Sequence, residues 1–495
     1  MAQICRRQTA AKGNFAQKGM VIKMLPITEN YAIYPAVVKM GEKTEMTITA
    51  TERAFFPVSG EEYALTVIAV EGDELDYHLA LSHEKITLCA EAGVLRFRHT
   101  FSMEGEYLFW LYRGEKKIGE LHAYSLGEDL YGLLPLRGDF HSHSFRSDGK
   151  RDPAALAGHF REQGYDLFAL TDHNRFYPGG EIDEAYQGVR TGVTRIRGEE
   201  VHAPGCVAHI VHALGDYSVA EQYLSDMDGY RRTLEKEYFP RVPADIPAQY
   251  RERYAITMWV TERIHAAGGL AIFPHPYWRP TQSQVYNVRT EFARILLKSG
   301  LFDAYELVGG MKQDGVNVSL SLWQELRAEG FDIPVVGSSD VHGLDKAYTF
   351  PHYFTLVFAE NSSHECVKEA ILSHRSVAVE ATGAEYERQY RAYGKHRLVI
   401  YAQFLFRFFF PVYWRLTQGE GIAMRAYAMG EAPASLVEQS AALALDYRAR
   451  FFGKKPPILP TETQLAFEEK WRARHLEGPT TKGSTLDPSV ITRQI

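Results

Sequence analysis

Cysteine is scarce in this sequence: Cys5, Cys89, Cys206 and Cys366 are scattered through 495 residues, with no Cys-x-x-Cys pair. That excludes a disulfide framework and a zinc ribbon, and it fits a cytoplasmic, reducing compartment. An excess of one charge is also missing. The formal net charge of -7 is small for this length and makes a dedicated nucleic-acid binder, which needs a basic face, an unlikely expectation. Long uncharged apolar runs are absent too. The most apolar stretch, 398–416, has Arg407 in its middle and Pro411 near its end, whereas a transmembrane helix needs about 20 apolar residues with few charges. It is expected to be a buried helix packed on the rest of the fold, with a membrane-surface or homo-oligomer contact as the alternative. The first residues, MAQICRRQTAAKGNFAQKGM, lack the apolar core of a secretory signal, so 1–26 reads as a disordered leader. What is present is ordinary: 45% hydrophobic and 24% charged residues, enough to bury a large core.

Three patterns follow one another along the chain. Residues 27–130 hold short period-two runs such as EMTITAT and GEYLFWLYRG between turn residues, which predicts an antiparallel β-sandwich-like accessory domain. From 131 to 380, apolar runs alternate with helical stretches. That repetition predicts an α/β unit with a parallel sheet or a β/α barrel. Seven strands are expected there, with a long helical insertion at about 220–265. A helical extension is expected over 381–460 and a flexible tail over 461–495.

Chemistry-bearing residues collect where the apolar runs of the middle unit end. In RGDFHSHSFRSDG, Asp139, His141 and His143 alternate and so share one strand face, with Asp148 in the following turn. LTDHN brings Asp172 and His173 to the next strand end, where β/α enzymes place their chemistry. RGEEVHAPGCVAHIVHALG offers Glu199 or Glu200, which face opposite ways if extended, and His202, His209 or His212. IFPHP adds His275, and GSSDVHG adds Asp340 and His342. Imidazole and carboxylate donors without thiolate suit Zn, Mn or Fe. Arg146, Arg175, Arg197 and Arg279 stand beside these motifs and are candidate phosphate-binding groups.

These motifs, in this order, resemble those of the PHP (polymerase and histidinol phosphatase) superfamily: D-x-H-x-H-S-x-x-S-D-G, T-D-H, G-x-E, an isolated His, H-P and S-D-x-H. The resemblance spans about 136–378 and implies a distorted seven-stranded (β/α) barrel. It implies a trinuclear site, two or three divalent metal ions held by His141, His143, Asp148, His173, Glu200, His209, His275, Asp340 and His342. Asp139 and Asp172 would orient those ligands. The implied activity is a phosphoesterase on a small phosphorylated substrate. A metal-bridging hydroxide is the expected nucleophile, with Glu200, Asp340 and His342 as catalytic groups. The same chemistry would serve a carbamate, amide or carboxyl ester, and a metal-stabilised binding protein without catalysis is the third expectation.

Overall fold

Period-two alternation in the first part of the chain does yield strands. The computed structural model describes residues 30–72, 84–344, 350–383 and 388–477, so the expected leader at 1–26 lies outside the described residues. The strands are β1 (Tyr31–Tyr34), β2 (Val37–Lys39), β3 (Lys43–Ala50), β4 (Glu62–Ala69), β5 (Glu84–Cys89), β6 (Val94–Thr100), β7 (Gly105–Arg113) and β8 (Lys116–Leu126). They form one sheet of order β1-β3-β6 and another of order β2-β8-β7-β4-β5. Ile33, Ile48 and Phe97 from the first share a single core with Leu65, Phe109 and Leu121 from the second. Pairing is antiparallel except where β2 runs parallel to β8.

The middle of the chain builds one large curled sheet. Its strands are β9 (Leu134–Asp139), β10 (Leu167–Leu170), β11 (Thr194–Val201), β12 (Ile210–Ala213), β13 (Leu270–Phe273), β14 (Ala304–Val308), β15 (Val335–Gly337), β16 (Tyr353–Ala359), β17 (Ser376–Thr382) and β18 (Gln389–Tyr393). The order is β15-β14-β13-β12-β11-β10-β9-β16-β17-β18. Each of the seven expected apolar runs contains a strand, but the sheet has ten because β16, β17 and β18 join it antiparallel. A second departure is β12, which runs antiparallel to both neighbours. The connection over 202–209 is too short for a crossover helix, and a parallel step needs a dozen or more residues.

The sheet curls until its β15 edge reaches β9, β16 and β17. Ser142 pairs with Val341 in a parallel bridge, and the Asp340 amide donates to the His141 carbonyl at 2.9 Å. On the other side of β15, the Gly337 amide donates to Thr355 Oγ1 at 3.0 Å and Ser376 Oγ donates to the Val335 carbonyl at 2.8 Å. The sheet is therefore barrel-like.

Helices α1 (Pro153–Glu162), α2 (Pro178–Ala185), α3 (Ala220–Ser225), α4 (Met227–Thr233), α5 (Arg251–Ala266), α6 (Thr290–Lys298), α7 (Gln313–Ala328) and α8 (His364–Leu372) connect the strands. α1 starts where its sequence says it should: Asp152 accepts from the Ala154 and Ala155 amides, and Pro153 occupies the first turn. The helical insertion expected at about 220–265 is α3, α4, further helical turns and α5, with Pro240, Pro243 and Pro247 separating α5 from the helical turns before it.

The apolar stretch 398–416 forms parts of two helices, α9 (His396–Phe408) and α10 (Phe410–Ala428), which meet just before Pro411. Phe404, Leu405, Phe409 and Tyr413 are fully buried in the core shared with the large sheet. These side chains are covered within the chain, as expected for a buried helical segment. Among the described residues no helix is long and apolar enough to cross a membrane. α10 is tied to α1 by buried Arg161, which donates to Glu420 Oε2 at 2.6 Å and Asp166 Oδ1 at 3.1 Å. Two boundaries also change. β18 belongs to the large sheet although it lies past residue 380, and α11 (Ala434–Phe451) is followed by α12 (Glu462–Glu477) within the expected flexible tail. Arg472 of α12 donates to the Phe56 carbonyl at 2.9 Å, so this helix docks on the N-terminal sheets.

Candidate metal centre

Two buried aspartates hold the first strand end in shape. Both oxygens of Asp139 accept from the Ser339 amide at 3.1 Å, and its Oδ1 also accepts from the His141 amide at 3.1 Å. Asp139 thus clamps the β9 end to the β15 end. Burial pushes its carboxyl up to about 7, against the hydrogen bonds from Ser339 and His141. Asp172 accepts from the Ser144 amide (2.8 Å), Ser144 Oγ (2.6 Å) and Ser147 Oγ (2.5 Å), which shapes the turn carrying Asp148. The turn also needs Gly149, where an added Cβ would sit 2.3 Å from the His143 carbonyl oxygen. Neither aspartate points into the site.

In front of them, Glu200 sits at the hub. Its Oε2 lies 3.4 Å from His141 Nε2, 3.4 Å from His143 Nε2 and 2.9 Å from His173 Nδ1. Its Oε1 lies 2.9 Å from His209 Nδ1, 3.3 Å from His275 Nε2 and 3.4 Å from His202 Nε2. Asp340 Oδ1 is 3.0 Å from His143 Nε2 and 3.4 Å from His141 Nε2. Asp148 Oδ1 bridges His173 Nε2 (3.2 Å) and His342 Nε2 (3.3 Å). All nine residues expected as ligands therefore face one another. Two of them hold backbone in the left-handed region that L-residues seldom adopt, with φ of +23° at His275 and +51° at Asp340.

Strand geometry separates the residues of the third motif that face the site from those that face away. Adjacent residues of β11 face opposite ways. Glu200 enters the site, while Glu199 turns behind the sheet and accepts from Ser218 Oγ (2.8 Å) and the Val219 amide (2.5 Å) at the start of α3. His212 follows Glu199, with Nδ1 3.4 Å from its Oε1, and stacks on Phe176 outside the site. His202 and His209 both remain at the site, with ring centroids 3.8 Å apart.

Glu306 is the residue the sequence reading missed. It is fully buried on β14, and its Oε2 accepts from His141 Nδ1 at 2.9 Å, which aims His141 Nε2 at Glu200 and Asp340. The available signal was a carboxylate inside the apolar run AYELV. Gly310 completes the approach: at φ +60° an added Cβ would lie 2.8 Å from the His275 ring and 3.0 Å from Glu306 Oε1.

The electrostatics suit a cation. Burial disfavours a proton on His141, yet Asp340, Glu200 and Glu306 raise its affinity for one well above the ordinary value. Against the same burial, Asp148 and Glu200 push His173 up to about 10, and Asp148 and Asp340 push His342 up to about 9. Burial, with help from His342, drops His143 to about 4 although Asp340 opposes it. His141 Nε2, His143 Nε2, Glu200 Oε1, His209 Nδ1 and Asp340 Oδ1 are buried and lie 2.9–3.4 Å from atoms of one another, yet none of these approaches has hydrogen-bond geometry. Such atoms are costly unless something satisfies them. Donor atoms lie within 4.8 Å of one another in the sets His143/Asp148/His173/His342, His141/His143/Asp340, His141/Glu200/His275 and His173/Glu200/His202. These sets can hold divalent metal ions.

The sets open into a pocket of about 320 Å³ lined by Asp148, His173, Glu200, His202, His209, His275, Trp278, Gly310, Asp340 and His342. None of the candidate phosphate-binding arginines lines it. Arg146 pairs with Glu181, Arg197 with Asp183 and Arg279 with Asp314, while Arg175 is exposed. Each had a nearer carboxylate or open solvent, so adjacency in sequence did not become adjacency in space.

No protein-family model and no curated protein matches this sequence. Among solved structures the chain is similar to a two-domain protein of Bacteroides vulgatus described as containing a predicted PHP-like metal-dependent phosphoesterase. The identity is 21% and the TM-score 0.35, over 50% of this chain and 66% of that one, just under two thirds. It is similar to a Bifidobacterium adolescentis protein assigned as a metal-dependent phosphoesterase, with 19% identity and TM-score 0.31 over 42% and 89% of the two chains. A Chromobacterium violaceum amidohydrolase with bound sulfate and no metal is matched at 17% identity and TM-score 0.29, over 43% and 89%. The solved structures that this chain is similar to thus include PHP-like phosphoesterases and an amidohydrolase.

Proposed function

We propose that this chain is a metal-dependent hydrolase of PHP type that cleaves a small phosphate ester. The observation that carries the reading is the convergence of nine His, Asp and Glu side chains, from six strand ends and the turn after β9, seven of them lining one pocket and His141 and His143 buried against Glu200 and Asp340 beside it. His141, His143, Asp148, His173, Glu200, His209, His275, Asp340 and His342 would hold two or three Zn, Mn or Fe ions. Divalent cations, when bound, supply Lewis acidity that acidifies water and neutralises charge on a phosphoryl oxygen. The protein's own part is placement. Glu200 and Asp340 lie between imidazoles on both sides, so each can serve two neighbouring cations, and His342 stands at the half-open rim of the pocket. Asp139, Asp172 and Glu306 fix the strand ends and the His141 ring before substrate arrives.

A second reading, hydrolysis of a carbamate, amide or carboxyl ester, has an observation in its favour. The described pocket lining holds Trp278 and no Lys or Arg, so it offers an aromatic wall in place of a phosphate clamp. One experiment tests both: metal analysis of the purified protein together with a hydrolysis screen over phosphomonoesters, phosphodiesters, carbamates, amides and carboxyl esters. The phosphoesterase reading expects at least two divalent ions per chain and turnover of phosphate esters that His141→Ala/His143→Ala abolishes. Turnover confined to carbamates, amides or carboxyl esters would replace it with the second reading. Fewer than one ion per chain after metal supplementation would overturn both.

A further inference from the structure

A second cavity, of about 410 Å³, lies on the N-terminal sheets, far along the sequence from the metal-centre motifs. It is lined by Tyr31 on β1, Phe55 and Phe56 between β3 and β4, Tyr63 on β4, Arg113 at the end of β7, Lys116, Lys117 and Ile118 on β8, and Arg472 on α12. Four cations, two phenols and two phenyl rings line it, and no carboxylate does.

The strand that supplies two of the cations is irregular at this point. Successive residues of a regular strand face opposite ways, so Lys116, Lys117 and Ile118 would not all reach one cavity. The β7–β8 register shifts between Leu111 and Tyr112, which stand opposite Gly119 and Lys117 and leave Ile118 as an extra residue. A bulge of this kind re-aims side chains, and here it brings three consecutive residues to the same lining. Gly119 leaves room for the neighbouring aromatic wall, since an added Cβ would come within 3.0 Å of the Tyr31 ring. Burial and the nearby Tyr63 raise the pKa of the Tyr31 hydroxyl, and the charges of Arg113 and Arg472 oppose that rise.

Three of the cations have partners. Arg113 Nη2 lies 2.6 Å from Glu61, Lys117 Nζ lies 2.5 Å from Glu120 and Arg472 Nε lies 3.2 Å from Glu468. All three cations are a third or more exposed, and pairs of this kind are weak enough to rearrange around an incoming anion. Lys116 is exposed and makes no ion pair among the described residues.

We propose that this cavity is an accessory binding site for a small anion with a flat apolar body, an aromatic carboxylate or aryl phosphate. The anionic end meets Lys116, Arg113 and Arg472, and the ring lies against Phe55, Phe56 and Tyr31. The volume matches pockets that enclose small organic ligands. Because the cavity is built from the N-terminal sheets and α12, its occupancy does not depend on the metal centre.

The test is calorimetric titration of the full chain, stripped of metal with chelator, with the variants below assigning the heat to this cavity and not to the metal-centre pocket. The probes are benzoate, phenyl phosphate and inorganic phosphate. Benzoate or phenyl phosphate should bind at one site per chain, and the pair shows which acid the site prefers. Lys116→Ala, at an exposed position that leaves folding intact, should weaken binding several-fold, and Lys116→Ala/Arg113→Ala should weaken it at least tenfold. Phe55→Ala should weaken phenyl phosphate while leaving inorganic phosphate unchanged. Failure of both aromatic probes to bind at millimolar concentration, or binding that the double variant leaves intact, would overturn the proposal. So would inorganic phosphate binding as tightly as phenyl phosphate.

Discussion

Replacing Glu306 by Gln is the sharpest test of how the metal centre is held. Glu306 touches His141 alone among the proposed ligands, at 2.9 Å, and both side chains are fully shielded from solvent. The carboxylate fixes the proton on Nδ1 and so leaves Nε2 free to donate toward the site, where it lies 3.4 Å from Glu200 and from Asp340. Gln keeps the shape but removes the charge, and its amide group can present a donor to Nδ1 and favour the wrong tautomer. Loss of an outer partner of this kind lowers metal affinity by about 10- to 100-fold. That corresponds to about 1.4–2.7 kcal/mol. With no solvent to substitute for the lost contact, the upper half of the range is expected. Glu306→Ala is the cruder variant, because it also leaves a buried donor unsatisfied at a cost of about 1–3 kcal/mol. The assay is competition of Zn or Mn between protein and a chromophoric chelator, with thermal unfolding of the metal-free protein measured alongside. Glu199→Gln is the control: its carboxylate caps α3 behind the sheet, so it should lower stability and leave metal affinity unchanged. If Glu306→Gln binds metal within about twofold of the parent protein with the same stoichiometry, the orienting role is wrong.

Three more outcomes follow from the same geometry. In the metal-free protein His173 and His342, pushed up to about 10 and about 9, carry protons at pH 7, so metal binding should release protons and strengthen as pH rises. Titrations in two buffers of different ionisation enthalpy measure this, and a release of zero would contradict it. Gly310→Ala should reduce bound metal and cost on the order of 1–2 kcal/mol for the left-handed backbone alone, since its φ is +60° and its Cβ would press on His275; metal content and urea unfolding report the two effects separately. Glu420→Gln should destabilise the chain by about 1–3 kcal/mol, because it weakens the charge-assisted bond to fully buried Arg161 while Asp166 still pairs with that guanidinium. An unfolding midpoint unchanged by that substitution would show that the network contributes nothing to stability.

What the sequence determined by itself was local. Seven apolar runs became strands, and His141, His143, His173, His275 and His342 could be marked from their place at the ends of those runs. Alternation at period two and the switch from apolar to polar residues are short-range properties, so they survive translation into structure. The tertiary fold decided whatever depended on register or on distant partners. Alternation alone left Glu199 and Glu200 as an either-or and only the G-x-E resemblance favoured Glu200, which is the one the structure turns toward the histidines. β12 turned antiparallel because its connection was short, and β16, β17 and β18 extended the sheet beyond the expected seven strands. The arginines beside the motifs went to nearer carboxylates. Glu306 meets His141 across 165 residues, and the second cavity gathers positions from Tyr31 to Arg472; no local pattern encodes either meeting. Strand-end chemistry is written in neighbouring residues, whereas its orientation and support come from contacts that exist only once the sheet has closed.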